Sequence, residues 1–118
     1  MMRTLAITLL ACGLLAGCWQ KEMGRTYYPS GKVKTEATVR NNVLEGHAIT
    51  YYESGQKMGE ADYKSGMLHG KAISYYEDGR RKAEAEYKDG VLNGTSTSWY
   101  DKGAVRSTAR FEEGRLAK

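Results

Sequence analysis

Along most of this chain polar and apolar residues alternate in runs of about nine, and a glycine or asparagine closes each run. Ala48, Thr50 and Tyr52 take one parity and Ile49 and Tyr51 the other; ESG interrupts, and Gly59, Ala61 and Tyr63 then alternate with Met58, Glu60 and Asp62 until KSG interrupts again. A period of two bounded by turn residues predicts half-buried strands joined by hairpins. Helix competes over KAEAEYK, where residue propensities are good, but a glycine-bounded run of about nine residues is too short to hold a helix alone.

The interruptions themselves recur. YYPSG from Tyr27, YYESG from Tyr51, YYEDG from Tyr75 and WYDKG from Trp99 are spaced by 24 residues without an insertion, and NNVLEG, SGMLHG, DGVLNG and EGRLAK keep Leu44, Leu68, Leu92 and Leu116 at the same spacing. Two turns per period give about 12 residues for a strand plus its turn, the mark of stacked hairpins. Gly55, Gly79 and Gly103 fall where a tight turn needs positive φ, and Gly66, Gly90 and Gly114 are matched in the first repeat by Asn42, which also tolerates that conformation.

With two central residues at the tip, Ser54 and Gly55, Tyr52 faces Lys57, Thr50 faces Gly59 and Ala48 faces Ala61. One face then carries small residues flanked by tyrosines, repeated as Ala72, Ser74, Tyr76, Ala83, Ala85 and Tyr87, and the other carries Ile49, Tyr51, Met58, Glu60 and Asp62. The expected fold is all-β: a single-layer, coiled antiparallel meander of seven or eight strands, stable through neighbour contacts. Adjacent tyrosines point to opposite faces, and a one-layer sheet is expected to leave one aromatic row open to a partner. The candidate binding residues are Tyr51, Tyr75 and Trp99 on one face and Tyr52, Tyr76 and Tyr100 on the other.

YYxxG, an alternating strand and then Y-K-[SD]-G-x-L-x-G resembles the MORN-repeat variant found in many bacterial proteins, over about Arg25 to Lys118. The resemblance implies stacked β-hairpins with an aromatic-lined groove that binds proteins or lipids. Proteins made only of this variant are often labelled antitoxins of YwqK type. In the middle of the first strand, where the family commonly has an aromatic, this chain has Ala48, Ala72 and Ser96.

Ahead of the repeats, MMRTLAITLLACGLLAGC places one Arg before an apolar run of about a dozen residues that ends in small residues, the form of an export signal helix. The run is shorter than the roughly 20 residues that span a bilayer core. LAGC at Leu15 to Cys18 resembles the lipobox of bacterial lipoproteins, which implies cleavage before Cys18 and acylation of Cys18. The expected organisation is a signal peptide over 1–17, a lipidated N-terminus and tether over 18–24, and about 3.5 to 4 repeats over 25–118. Trp19, in place of Asp, suits outer-membrane sorting, with the repeat domain facing the periplasm. Cys12 leaves with the signal and Cys18 carries lipid, so no disulfide forms within the mature chain.

Charge adds little to this until its placement is considered. The 18 basic and 14 acidic side chains lose Arg3 with the signal, leaving a net of +3, too small a surplus to point to nucleic acid. Lys57, Arg80, Arg81 and Lys82 fall just after the tips, where stacking makes a basic rim, suited to anionic lipid headgroups or an acidic protein. His47 and His69 beside turn glycines, without Cys or a placed carboxylate, do not make a metal site. Glu36, Glu60, Asp62, Glu84 and Glu86 are expected to point outward for solubility and cross-strand pairing with lysines. No catalytic residue and no cofactor is assigned. The expectation is a non-enzymatic, lipid-anchored envelope protein whose repeat sheet binds or scaffolds a protein partner; the alternative is an immunity or antitoxin-type inhibitor of an envelope-acting toxin.

Overall fold

The computed structural model describes residues 20–118; the signal segment 1–17, its expected helix, Cys18 and Trp19 lie outside the described residues. Among the described residues nine strands follow one another in sequence and in space: β1 (Glu22–Tyr27), β2 (Val33–Arg40), β3 (Val43–Tyr51), β4 (Lys57–Lys64), β5 (Met67–Tyr75), β6 (Arg81–Lys88), β7 (Val91–Trp99), β8 (Val105–Glu112) and β9 (Arg115–Leu116). They form one antiparallel meander with no crossover. β1 begins inside the expected tether, for Glu22, Met23 and Gly24 pair with Val39, Thr38 and Ala37.

Two kinds of turn alternate. The turns Asn41–Asn42, Ser65–Gly66, Asp89–Gly90 and Glu113–Gly114 have positive φ at both positions, 50° and 63° in the first and 51° and 80° in the second. That is the two-residue geometry whose twist matches flanking strands. At the tyrosine tips the loop has three residues, not the two expected: the Tyr52 amide donates to Gln56 O at 2.8 Å and the Gly55 amide to Tyr52 O at 2.9 Å, with Gly55 at φ 94°. Lys57 therefore faces Tyr51, not Tyr52, and a bulge then restores the expected pairs Thr50↔Gly59 and Ala48↔Ala61. The extra residue lets the tip relax into a type I turn without moving the small residues off their face.

A second bulge recurs in mid-strand. Ala37 pairs Ala48 but Val39 pairs Leu44, so Thr38 alone opposes Glu45, Gly46 and His47; the same break falls between Ala61 and Tyr63 and between Ala85 and Tyr87. Gly46, Gly70 and Gly94 take φ of 126°, 108° and 126° there, and a Cβ on Gly94 would stand 2.9 Å from Glu86 Cβ. Bulges raise local twist, and one per repeat coils the sheet. Among the described residues only Ala37 is buried and no side chain is completely enclosed. Each hairpin is thus supported by its two neighbours, as in other repeat arrays.

Candidate binding surfaces

On the inner face of the coil the small residues line up strand after strand. Ala48, Ala61, Ala72 and Ala85 form the floor of an open groove of about 360 Å³, with Tyr63 and Tyr87 along one side. The register explains the floor, since Ala48, Ala61, Ala72 and Ala85 are directly paired in succession. Methyl side chains leave space that an aromatic in the same slot would fill.

The second tyrosine of each tip closes one repeat on the next. The hydroxyls of Tyr28, Tyr52 and Tyr76 donate to the carbonyls of Tyr51, Tyr75 and Trp99 at 2.6, 2.7 and 2.8 Å. Lys34, Lys82 and Arg106 lie over the rings of Tyr28, Tyr76 and Tyr100 at 5.7 to 5.9 Å, a cation–π contact at each. The other turn is clasped as well, for the amides of Gly66, Gly90 and Gly114 donate to Leu44, Leu68 and Leu92 carbonyls one repeat back at 2.7 to 2.9 Å.

Neither aromatic row stands open, contrary to expectation. Tyr51, Tyr75, Trp99, Tyr52 and Tyr76 are all half-buried, and the exposed tip aromatics are Tyr27 at 55% and Tyr100 at 53%, at opposite ends of the repeat array. Stacking explains this: the Tyr52 row is covered by the hairpin that follows and the Tyr75 row by the one before, so Tyr100 and Tyr27 are the members left without a cover among the described residues.

The outer face holds a chain of charges. Glu60 and Glu84 do not point freely into solvent, for their side chains are 17% and 18% exposed. Glu84 takes Lys71 at 3.2 Å and Arg81 at 3.0 Å. Glu60 takes Lys57 at 3.1 Å, His47 Nε2 at 3.4 Å and the donating Tyr75 hydroxyl at 2.6 Å. That hydroxyl, with help from Lys57 and against burial, holds the Glu60 carboxyl below its ordinary value. Burial, then the Glu60 carboxylate, pushes the Tyr75 phenol up to about 12. His47 is raised, chiefly by its 2.7 Å contact with Asp62 and against desolvation. The expected pairing of carboxylates with lysines is therefore present, but two of the carboxylates are central to the face. Their recurrence at one slot, 24 residues apart, is the signal the sequence carries; the Tyr75 hydroxyl that reaches Glu60 from the next repeat is not legible in it.

The histidines play separate parts. His47 is held between two carboxylates, whereas His69 accepts from the Asp89 amide at 3.4 Å, a turn contact made by Glu45 to Ser65 and by Asn93 to Glu113 in the neighbouring repeats. Among the described residues no three His, Cys, Asp or Glu side chains gather into a metal site, and no helix is long and apolar enough to cross a membrane.

Of the basic rim, Lys57 and Arg81 are the partners of Glu60 and Glu84, Arg80 reaches Asp78 at 3.7 Å and the Asp101 carbonyl at 3.2 Å, and Lys82 covers Tyr76. Arg80 and Arg81 remain 58% exposed. The rim is a set of contacts between neighbouring strands and tips with part of its charge still facing water. Cys18, the candidate lipid site, lies outside the described residues.

A family model described as the MORN repeat variant matches residues 24–41, 44–65 and 68–89. No curated protein and no solved structure matches the chain.

Proposed function

Because the chain belongs to the MORN repeat variant family, its matched segments covering more than half of its length, we propose that it is a non-enzymatic binding module, anchored in the bacterial envelope through acylated Cys18, that holds a protein partner on its coiled sheet. MORN repeats are often involved in binding proteins or membranes. The observation that carries the reading is the groove floored by Ala48, Ala61, Ala72 and Ala85, a concave apolar strip that the chain itself leaves unfilled. An extended partner segment placing side chains over the alanines would bury apolar area on both sides. The tyrosine clasps hold the floor in shape, and the exposed guanidinium groups of Arg80 and Arg81 would favour an acidic flank on the partner.

Supporting the non-enzymatic reading, both histidines are engaged in contacts that hold strands and turns together. The anchor reading rests on LAGC. Since β1 begins at Glu22, three residues separate Cys18 from the sheet, at most about 14 Å of extended chain, and the first hairpin would lie against the membrane, on the periplasmic side of the outer membrane.

Crosslinking in the intact envelope with mass-spectrometric identification tests the reading. A partner captured by the parent chain is expected to be lost with Ala61→Leu, which fills the groove, and kept with Lys102→Ala, away from it. Capture unaffected by Ala61→Leu in a folded protein removes the groove from the binding site. A captured envelope-acting toxin would select the inhibitor alternative over the scaffold. Acyl labelling and membrane fractionation should both vanish with Cys18→Ala; retention in the membrane would sink the anchor.

A further inference from the structure

The two ends of the sheet are complementary to each other. β8 spans Val105–Glu112, but β9 covers only its last part, pairing Arg115 with Glu112 and Leu116 with Phe111. From Val105 to Ala109, β8 is paired only on the β7 side. Among the described residues, the stretch of β1 from Gly24 to Tyr27 is paired only with β2. In the strict 24-residue period, residues 24–27 stand in the slot of residues 48–51, 72–75 and 96–99, the part of the strand that β8 lacks beside it. Each end therefore has what the other is missing, in the same phase.

Among the described residues the tyrosine clasp between repeats is incomplete at these ends. Tyr28, Tyr52 and Tyr76 each reach the carbonyl of the next tip's first aromatic. The next donor in the series is Tyr100, whose hydroxyl has no acceptor among the described residues, and the next acceptor by period is the Tyr27 carbonyl at the start of the sheet. Tyr27 and Tyr100 are also the exposed members of their rows.

We propose that the chain associates head to tail with a second copy of itself, β1 of one copy docking on the uncovered part of β8 of the other, so that the sheet runs on without a change of register. The β6–β7 pairs Ala83↔Ser98, Glu84↔Thr97 and Ala85↔Ser96 fix the contact: moved by the period, Ser107 faces Thr26, Thr108 faces Arg25 and Ala109 faces Gly24. The residues facing each other on the groove side are small and uncharged, and no like charges meet at these three pairs. Tyr100 of the first copy then donates to Tyr27 O of the second. Main-chain pairing supplies the attachment, as in other strand additions, and the tyrosine clasp supplies the register. The contact joins unlike ends, so it leaves a free end on each side and can extend.

Cysteine trapping tests this on the full chain. Within one copy Thr26 and Ser107 lie seven strands apart, roughly 30 Å at the usual strand spacing, so a bond between Cys at these positions can form only between copies. Thr26→Cys mixed with Ser107→Cys should give a disulfide-linked dimer whose junction maps to residues 26 and 107, and the double variant should give a series of higher oligomers, in both cases beyond what the parent with Cys12 and Cys18 gives. The mixed pair Thr26→Cys with Val105→Cys, displaced along the strand, should give far less. Adding Tyr100→Phe should lower the trapped fraction about fivefold, the weight of one neutral hydrogen bond, while leaving the monomer's melting unchanged. The proposal is overturned if the folded variants trap no more than the parent, or if either single variant links to itself as readily as to the other, which would mean a head-to-head contact. Loss of partner capture with trapping intact, or the reverse, separates this assembly from the groove's binding role.

Discussion

Removing one hydroxyl from an inner clasp isolates what holds the repeats together. In Tyr76→Phe the ring can keep its place under Lys82, 5.7 Å from the centroid, and only the 2.8 Å bond to the Trp99 carbonyl is lost. A neutral hydrogen bond contributes a net of about 1 kcal/mol. Since the site is part-buried and the carbonyl loses a partner, the cost should not fall far below that. For a domain of about 100 residues this lowers the melting temperature by about 4 °C or somewhat more. Tyr52→Phe should behave alike through its bond to Tyr75, and the double variant should lose about twice as much, because the two bonds share no atoms and lie about two strand spacings apart. Tyr100→Phe, measured in dilute protein, is the control and should be close to parental. Thermal melts and urea titrations of the parent and the four variants decide it. Equal destabilisation by Tyr76→Phe and Tyr100→Phe would refute the clasp, for it would show the phenol acting through something other than the bond to the next repeat.

Three further outcomes follow from the charged face and the bulges. His47 is raised above 6.5, so its contribution is complete below that value and is lost as pH rises through the raised one; Glu60 is held below 4.5, so its contribution is present above that value and is lost as pH falls through the lowered one. Stability should peak in mildly acidic solution, and His47→Gln should flatten the decline above pH 6.5 as His47 deprotonates; an unchanged slope in urea titrations would count against the Asp62 contact. The Tyr75 phenol, raised to about 12 by burial and the Glu60 carboxylate, should ionise earlier in Glu60→Gln, read by ultraviolet titration, and no change would place the cause in burial alone. Gly94→Ala combines positive φ with Glu86 in the path of the new methyl, whereas Gly103→Ala meets nothing within 4 Å; the second should cost about 1 to 2 kcal/mol of backbone strain and the first distinctly more, and equal costs would mean that Glu86 swings aside freely.

The sequence by itself determined the periodic part of this protein. Tyr, Thr, Ile and Ala in alternation between glycines at a spacing of 24 can be met only by stacked hairpins, and Asn42 beside Gly66, Gly90 and Gly114 marks the left-handed turn positions because few residues adopt them. Pairing of Ala48 with Ala61 followed from the parity of the side chains, which one slip would have reversed. The bulges were beyond it, since an extra residue leaves the hydrophobic pattern nearly intact while changing which neighbours meet; that is why parity alone pairs Lys57 with Tyr52 whereas it lies against Tyr51. The tertiary structure alone decided what the tyrosines do. Their alternation fixes two faces, but whether a row is open depends on the next hairpin lying across it, and coiling brings each hydroxyl onto a carbonyl 23 residues away. The same coiling sank Glu60 and Glu84 into the outer face and left the alanine floor concave, because a single sheet without a second layer can shelter its side chains only by curving over itself.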